Sequence, residues 1–348
     1  MSDKELYDVT IIGGGPAGLY SAFYAGLREM KTKLIEVQPF LGGKINIYPE
    51  KLIWDVGGLT PVTGEQLIEQ LVQQAKTFDP TIVLGEKVVS IDKEGDNFIL
   101  HTSSGQVHYS RTVIIAIGVG ILKPTKLQIE GAEKFELTNL HYTVKSYARF
   151  RDKTILISGG GNSALDWASE LSEIAKRVYL TYRKDTFKGH EATITKVKRN
   201  GVVCLMNTEI KSLTASQDHS EIERVILSHL DNGTESEVDV DEVIVCHGYE
   251  CEKELIKNSK VDIRMKDEWF IAGTPLSETS VPGIFAAGDI LNHEGKLYLI
   301  AGCFQDAANA VNRAKQYITP DATSYGMVSS HNDLFKEKNK ELRKLMLT

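Results

Sequence analysis

Cysteine is scarce in this 348-residue chain: only Cys204, Cys246, Cys251 and Cys303 occur, and no two share Cys-x-x-Cys spacing. That excludes a disulfide framework. A zinc site wants more Cys or His, more tightly spaced, than Cys246, His247 and Cys251 supply. Cys246 closes an apolar run and reads as a small core residue. Long apolar runs are missing too. A membrane-spanning helix needs roughly 18 consecutive apolar residues, and the longest run, near Val113 to Leu122, is broken by Gly118 and Gly120. The start, Met1-Ser2-Asp3-Lys4-Glu5, lacks the basic opening and apolar middle of a secretory leader, so the cytoplasm is the expected compartment. Cations are in the minority, 40 Lys and Arg against 47 Asp and Glu, a net charge of −7. That argues against general nucleic-acid binding. What is present is an ordinary soluble composition, 42% hydrophobic and 25% charged, with chain enough for about two domains.

The chain repeats a plan. Tyr7 to Ile12 reads as a strand, Gly13-Gly14-Gly15-Pro16-Ala17-Gly18 as a turn, Leu19 to Leu27 as a helix and Lys33 to Val37 as a second strand. The same order recurs with Thr154 to Ser158, Gly159-Gly160-Gly161-Asn162-Ser163-Ala164, Leu165 to Ala175 and Arg177 to Tyr182. Both are βαβ openings with a glycine-rich first turn. Each copy has a later apolar strand running into glycine, Thr112 to Ile117 before Gly118 and Glu242 to His247 before Gly248. Gly283 to Asp289 is a further buried strand, followed by a helical pattern from Gln305 to Tyr317. Phe98 to Thr102 faces Val107 to Tyr109 across a turn, and Arg224 to Leu230 faces Glu235 to Val240, so each pair reads as a hairpin. From Asn332 the tail mixes both charges with Leu334, Phe335, Leu342 and Leu345, the pattern of a solvated terminal helix.

Gly13, Gly15 and Gly18 follow a strand and open a helix, the context in which G-x-G-x-x-G binds a dinucleotide. The first glycine permits the turn, the second lets pyrophosphate reach the backbone, and the third lets helix pack on strand. Pro16 and Ala17 complete the loop, whose helix amides face the phosphates. Glu36 ends the second strand, where a carboxylate accepts hydrogen bonds from both ribose hydroxyls. In the second copy Gly159, Gly161 and Ala164 take the same places, with Asn162 and Ser163 between them. Its second strand runs instead into Arg183, Lys184 and, shortly after, Lys188. Cations there suit a ribose 2′-phosphate, although Asp185 among them can turn toward a free 2′-hydroxyl. The pair of sites implies FAD plus NADPH. Asp289, ending its strand after Gly288, is placed to hydrogen-bond a ribityl chain. Gly302 and Gln305 open a helix whose positive end suits the flavin pyrimidine.

The expected fold class is therefore α/β, two Rossmann-like three-layer (ββα) dinucleotide-binding domains, one inserted into the other. Residues 1–117 and 281–348 form the FAD-binding domain and residues 118–280 the NADP-binding domain.

GGGPAG at 13–18, LGG at 41–43, AIG at 116–118, GGGNSA at 159–164, YRKDTFKGHE at 182–191 and FAAGD at 285–289 together resemble the two-dinucleotide-domain flavoprotein reductases. The chain is most similar to the thioredoxin-reductase-like class. It departs from that class in its thiols. Leu140-His141-Tyr142-Thr143-Val144-Lys145, before the second glycine motif, has no cysteine, and Lys44-Ile45-Asn46-Ile47-Tyr48-Pro49, after LGG, has none either. That combination resembles ferredoxin–NADP reductases of the thioredoxin-reductase-like type. The resemblance implies a homodimer, Tyr48 stacked on one isoalloxazine face, and the segment around Ser329, Ser330 and His331 covering the other, from its own or the partner subunit. It also implies that Lys44, Val88, Leu122, Asp289 and Ser330 line FAD. Lys44 stands where relatives often have Gln.

The expected reaction passes a hydride from NADPH to the flavin and then single electrons to ferredoxin or a flavodoxin-like protein. No side chain is required as general acid or base, because the cofactor carries the chemistry; no catalytic residue and no metal ligand is assigned. Two other readings remain at this stage. One is an NADPH oxidoreductase acting on a quinone or a disulfide, and the other a flavin redox sensor that is not an enzyme. Intact glycine motifs and the cluster for a 2′-phosphate count against the sensor.

Overall fold

A computed structural model describes residues 5–120, 122–251, 254–327 and 331–346. Its α-helices are α1 (Pro16–Leu27), α2 (Gly64–Ala75), α3 (Asn162–Leu171), α4 (Glu191–Arg199), α5 (Glu254–Asn258), α6 (Ile300–Ile318) and α7 (Lys336–Met346). None is long and apolar enough to cross a membrane. The chain forms two units. The first comprises residues 1–46, 51–121 and 251–348, the second 47–50 and 122–250. The second is thus inserted in the sequence of the first, as the repeated motifs implied.

In the first unit the apolar strand Leu6–Ile12 pairs in parallel with Thr32–Glu36 on one side and Val107–Ile115 on the other. Thr81–Leu84 extends the sheet beyond Thr32–Glu36. The long strand Val107–Ile115 forks. Its first half pairs with the hairpin strand Asn97–Thr102, and Val113 to Ile115 pair in parallel with Ile284–Ala286. The C-terminal strand thereby completes the N-terminal sheet. Ile12, Ile35, Ile91, Phe98, Ile115 and Ile284 share one buried cluster, the pattern expected of strands covered on both faces. α1 and α6 pack together, with the Tyr20 and Phe304 rings 5.1 Å apart.

The second unit has a five-stranded parallel sheet in the order Leu140–His141, Glu242–Val245, Thr154–Ser158, Arg177–Tyr182 and Val203–Met206. A three-stranded antiparallel sheet, Thr208–Ala215, Ile222–His229 and Glu235–Asp239, adjoins it in sequence. The expected hairpin across Asp231 to Gly233 lies in this sheet.

Two boundaries differ from expectation. The division expected near residue 280 falls at 250/251. α5 belongs to the first unit because Ser259 Oγ accepts the Ile91 N–H at 2.9 Å, and Lys87 and Lys260 pair with Glu254 and Asp92. Ile263 and Ile271 then enter the first unit's core, and Ile271–Ala272 pairs with Leu291–Asn292. The second difference is a short one. Residues 47–50 join the second unit because Thr143 Oγ1 donates to the Ile47 carbonyl and the Glu50 carboxylate accepts the Tyr147 N–H at 2.5 Å.

Candidate functional site

The first glycine turn is built by close approach. Gly13 has φ +110°, and a Cβ there would run into the Ala116 carbonyl. At Gly18 a Cβ would land on the Gly13 carbonyl, which is the helix-on-strand contact that the third glycine permits. Gly15 is different. A Cβ on it would meet only the Gly43 Cα, at 3.7 Å, and at the equivalent Gly161 it would meet nothing within 4 Å. Both middle glycines therefore face open space, the room a pyrophosphate needs.

The helix starts point the same way. α2 is closed by a reciprocal capping box between Thr63 and Gln66. α1, α3 and α6 have no side-chain cap and no acid in the first turn. Their N-terminal amides keep hydrogen-bonding capacity and a positive end for an anion. These are the three helices the sequence assigned to cofactors.

Glu36 ends its strand 7% exposed. Its Oε2 accepts the Gly14 N–H at 2.5 Å and its Oε1 the Gln38 N–H at 2.8 Å. A carboxylate offers about four acceptor sites, so capacity remains for ribose hydroxyls. Burial raises its pKa above the ordinary value, against those backbone bonds. The third motif meets the first here. A Cβ on Gly288 would lie 2.9 Å from the Ala17 Cβ and 3.7 Å from the Cys303 sulfur. Asp289 follows in a short 3-10 turn. The first unit thus gathers an uncapped helix start, a buried ribose-type carboxylate and the Gly288-Asp289 turn, and these residues fit a bound FAD.

In the second unit the basic loop is pinned to the glycine turn. The Lys188 N–H donates to the Gly160 carbonyl at 2.7 Å, and Tyr182 stacks on Phe187, ring centres 6.0 Å apart. Arg183, Lys184 and Lys188 are exposed, and among the described residues no carboxylate pairs with them. Asp185 instead accepts the Thr186 hydroxyl at 3.2 Å. Ala164 is buried and Ser163 exposed. Asn162 has a structural task, because its Oδ1 accepts the His190 N–H at 3.1 Å. The arrangement fits a dinucleotide with a phosphorylated ribose.

Other expected positions behave less simply. Lys44 and Gln305 are exposed, and Gln305 donates to the Asn309 side chain at 3.1 Å. Val88 is buried in the first unit's core, which leaves its backbone rather than its side chain to line a ligand. Tyr48 packs against the second unit's core cluster. His331 is exposed, and the tail docks on its own unit through Phe335, in the turn before α7, against Phe78 at 5.3 Å and through Lys338 of α7 on the Thr77 carbonyl. Ser329, Ser330 and the Leu122 side chain lie outside the described residues.

Sequence reasoning missed two groups. His247 Nε2 lies 2.8 Å from Ser158 Oγ, both at ends of second-unit strands beside the glycine turn. Burial, then the charge of Arg183, hold its pKa below the usual imidazole range. Asp306, Lys296 and His293 form a buried charged cluster at Gly288. The signal for the first was a polar residue directly before each strand-ending glycine, Ser158 before Gly159 and His247 before Gly248; for the second it was a lone acid, Asp306, on an otherwise apolar helix face.

Residues 7–314 match the family described as pyridine nucleotide-disulphide oxidoreductase. The chain belongs to that family. It is 62% identical over 348 residues, all of both chains, to ferredoxin–NADP reductase 1 of Bacillus cytotoxicus. It is 60% identical over 343 residues to ferredoxin–NADP reductase 2 of Exiguobacterium sibiricum, covering 98% of this chain and 97% of that relative. Among solved structures it is similar to Lactococcus lactis thioredoxin reductase, with a TM-score of 0.72 and 25% identity, covering 90% of this chain and 99% of that one. These relatives bear out the resemblance read from the motifs. Cys204 and Cys303 are free thiols. Cys303, the one beside Gly288, has its thiol pushed up to about 12 by burial and then by Asp289. A thiol so held stays protonated at neutral pH and is a poor nucleophile.

Proposed function

We propose that this protein is an FAD-dependent reductase that takes electrons from NADPH and passes them to ferredoxin or a flavodoxin-like protein, without a thiol relay. The observation that carries this reading is the pair of glycine turns with opposite charge at the ends of their second strands. One ends in buried Glu36, and the other in exposed Arg183 and Lys184, which no carboxylate among the described residues pairs with. The names of the full-length relatives support the choice of acceptor.

In this reading the amides of Ala17 and Gly18 hold the FAD pyrophosphate, Glu36 accepts from the adenosine ribose, and Asp289 accepts from the ribityl chain. The α6 amides lie toward the flavin pyrimidine. In the second unit the α3 amides hold the NADPH pyrophosphate, and Arg183, Lys184 and Lys188 hold the 2′-phosphate. When bound, FAD supplies the exchange between a two-electron hydride donor and one-electron acceptors. The chain's contribution is to bind, orient and exclude competing reactions. We place the protein in the cytoplasm, in keeping with the free thiols of Cys204 and Cys303, and as a homodimer by its likeness to its class. The test is the yellow protein itself. It should release FAD in amounts equal to the chain on denaturation, and NADPH should bleach it rapidly under anaerobic conditions where NADH does so slowly. FMN, or no flavin after incubation with FAD, ends the reading.

A further inference from the structure

Asp306 lies on α6 with its side chain 6% exposed, and the Lys296 side chain is 2% exposed. The two are in direct contact as an ion pair. Burying both charges has a large desolvation cost, and an apolar pair of similar volume often serves stability as well. This pair does something an apolar pair cannot. Asp306 Oδ2 accepts the Gly288 N–H at 3.0 Å, and Lys296 Nζ donates to the Gly288 carbonyl at 2.9 Å. One residue therefore has both of its backbone polar groups held by full charges, the donor by the anion and the acceptor by the cation. His293 Nε2 stands 3.4 Å from the other Asp306 oxygen, and Ser277 Oγ donates to the Asp306 carbonyl at 2.9 Å. The clamp is thus fixed from its own helix, from the loop before it and from the segment before the strand Ile284–Ala286.

Gly288 is where such a grip matters. Its φ is +79°, and it touches Ala17 in the glycine turn of the first motif. The next residue is Asp289. Two charge-assisted bonds on Gly288 fix the two peptide planes that flank it, the second of which carries the Asp289 nitrogen, and such bonds are the strong ones.

We propose that Lys296 and Asp306 are positioning residues for the flavin: they clamp the Gly288 backbone and thereby preset Asp289 for the ribityl chain before the cofactor arrives. The proposal rests on the FAD reading above. Preorganisation of this kind raises affinity by removing an ordering cost from binding.

Two full-chain variants and one wild-type measurement test it. The double variant Lys296→Met/Asp306→Asn leaves no uncompensated charge and keeps an acceptor for the Gly288 N–H, but loses the grip on its carbonyl. Stripped of flavin and titrated with FAD, it should bind roughly 10- to 100-fold more weakly than wild type, the range for losing one hydrogen bond to a charged group. The visible circular dichroism of its bound flavin should change. Asp306→Glu keeps charge and acceptor, and should stay within about threefold of wild type. A folded double variant with wild-type affinity and an unchanged flavin spectrum overturns the proposal, and so does Asp306→Glu losing as much as the double. Hydrogen exchange on the wild-type chain decides even where a variant does not fold. The Gly288 amide should be protected equally with and without FAD. Protection that appears only on adding FAD shows that the cofactor, not the clamp, orders the turn. Wild-type protein that binds no FAD at all sinks the functional reading instead, so the two failures are distinct.

Discussion

Gly288 stands against Ala17, so close that a Cβ on Gly288 would lie 2.9 Å from the Ala17 Cβ. One residue belongs to the last motif of the chain and the other to the first. Their contact makes a single composite site of segments from opposite ends of the sequence. Gly288→Ala should therefore weaken FAD binding by tenfold or more. The substitution adds left-handed strain of about 1–2 kcal/mol and pushes the Asp289 turn off α1. Gly95→Ala is the control. Gly95 also has positive φ, +59°, but a Cβ there would meet nothing within 4 Å. It should lose a little stability and keep its FAD affinity. Equal FAD affinity in both variants would mean that the contact does not shape the site.

Arg183 should decide between the two nicotinamide cofactors. A charge-assisted contact contributes on the order of 1.5–3 kcal/mol, so Arg183→Ala should cut kcat/KM for NADPH roughly 10- to 100-fold. The value for NADH should barely move. Steady-state kinetics with an artificial dye measure both, and an equal loss for the two cofactors would make Arg183 structural.

Much of this was legible in the residues. The strand Thr154–Ser158 is an apolar run stopped by glycine, and it forms at the expected residues. The glycine turns were legible because their steric demand is written in the residue type itself: no side chain fits where Gly18 meets the Gly13 carbonyl. Glu36 and Arg183 were singled out by their offset from those turns. What escaped depended on contacts between distant residues. The segment around α5 follows the second unit's last long strand directly, yet it is drawn into the first unit by Ser259 against Ile91 and by Ile271 against Leu291. Tyr48 sits three residues from Ile45, a first-unit core residue, but packs with the other unit. The Asp306 cluster was hidden because its partner is backbone, and sequence patterning carries no sign of which carbonyl or amide a buried charge will meet.

The thiols should be dispensable. Changing Cys204, Cys246, Cys251 and Cys303 together to Ser should leave reduction of a dye and of ferredoxin by NADPH within about a few-fold of wild type, since a thiol held at high pKa is a poor nucleophile. Cys303 is the critical member, being beside Gly288 with its thiol pushed up to about 12. Loss of electron transfer in a folded, FAD-loaded variant would reveal a relay.

Acid should weaken the first unit through His108. Lys33 Nζ is 3.2 Å from His108 Nδ1 in a buried pair. An ammonium only donates, so the ring proton sits on Nε2, which is buried and has no partner among the described residues. Burial first, then the Lys33 charge, hold the His108 pKa below its usual value, with Glu86 opposing. An unfolded histidine takes up its proton at pH ~6.5. The folded one does so only at lower pH. Between those two points the unfolded state binds more protons, so stability is whole above the unfolded value and is lost as pH falls. His108→Gln keeps an acceptor for Lys33 and does not titrate. Thermal melts from about pH 7.5 to 5.5 should fall more steeply for wild type than for the variant, by at most ~1.4 kcal/mol per pH unit for one proton. Parallel curves would remove His108 from the account.

The central claim is the route of the electrons, from NADPH through FAD to a one-electron protein acceptor. Anaerobic stopped-flow mixing of the FAD-loaded protein with NADPH, followed by oxidised ferredoxin in a second mix, tests it most directly. The account predicts that NADPH bleaches the yellow band and that ferredoxin restores it as its own absorbance falls, in the four-serine variant as in wild type. It is contradicted if the NADPH-bleached protein leaves ferredoxin and flavodoxin oxidised while a quinone or a small disulfide restores the band.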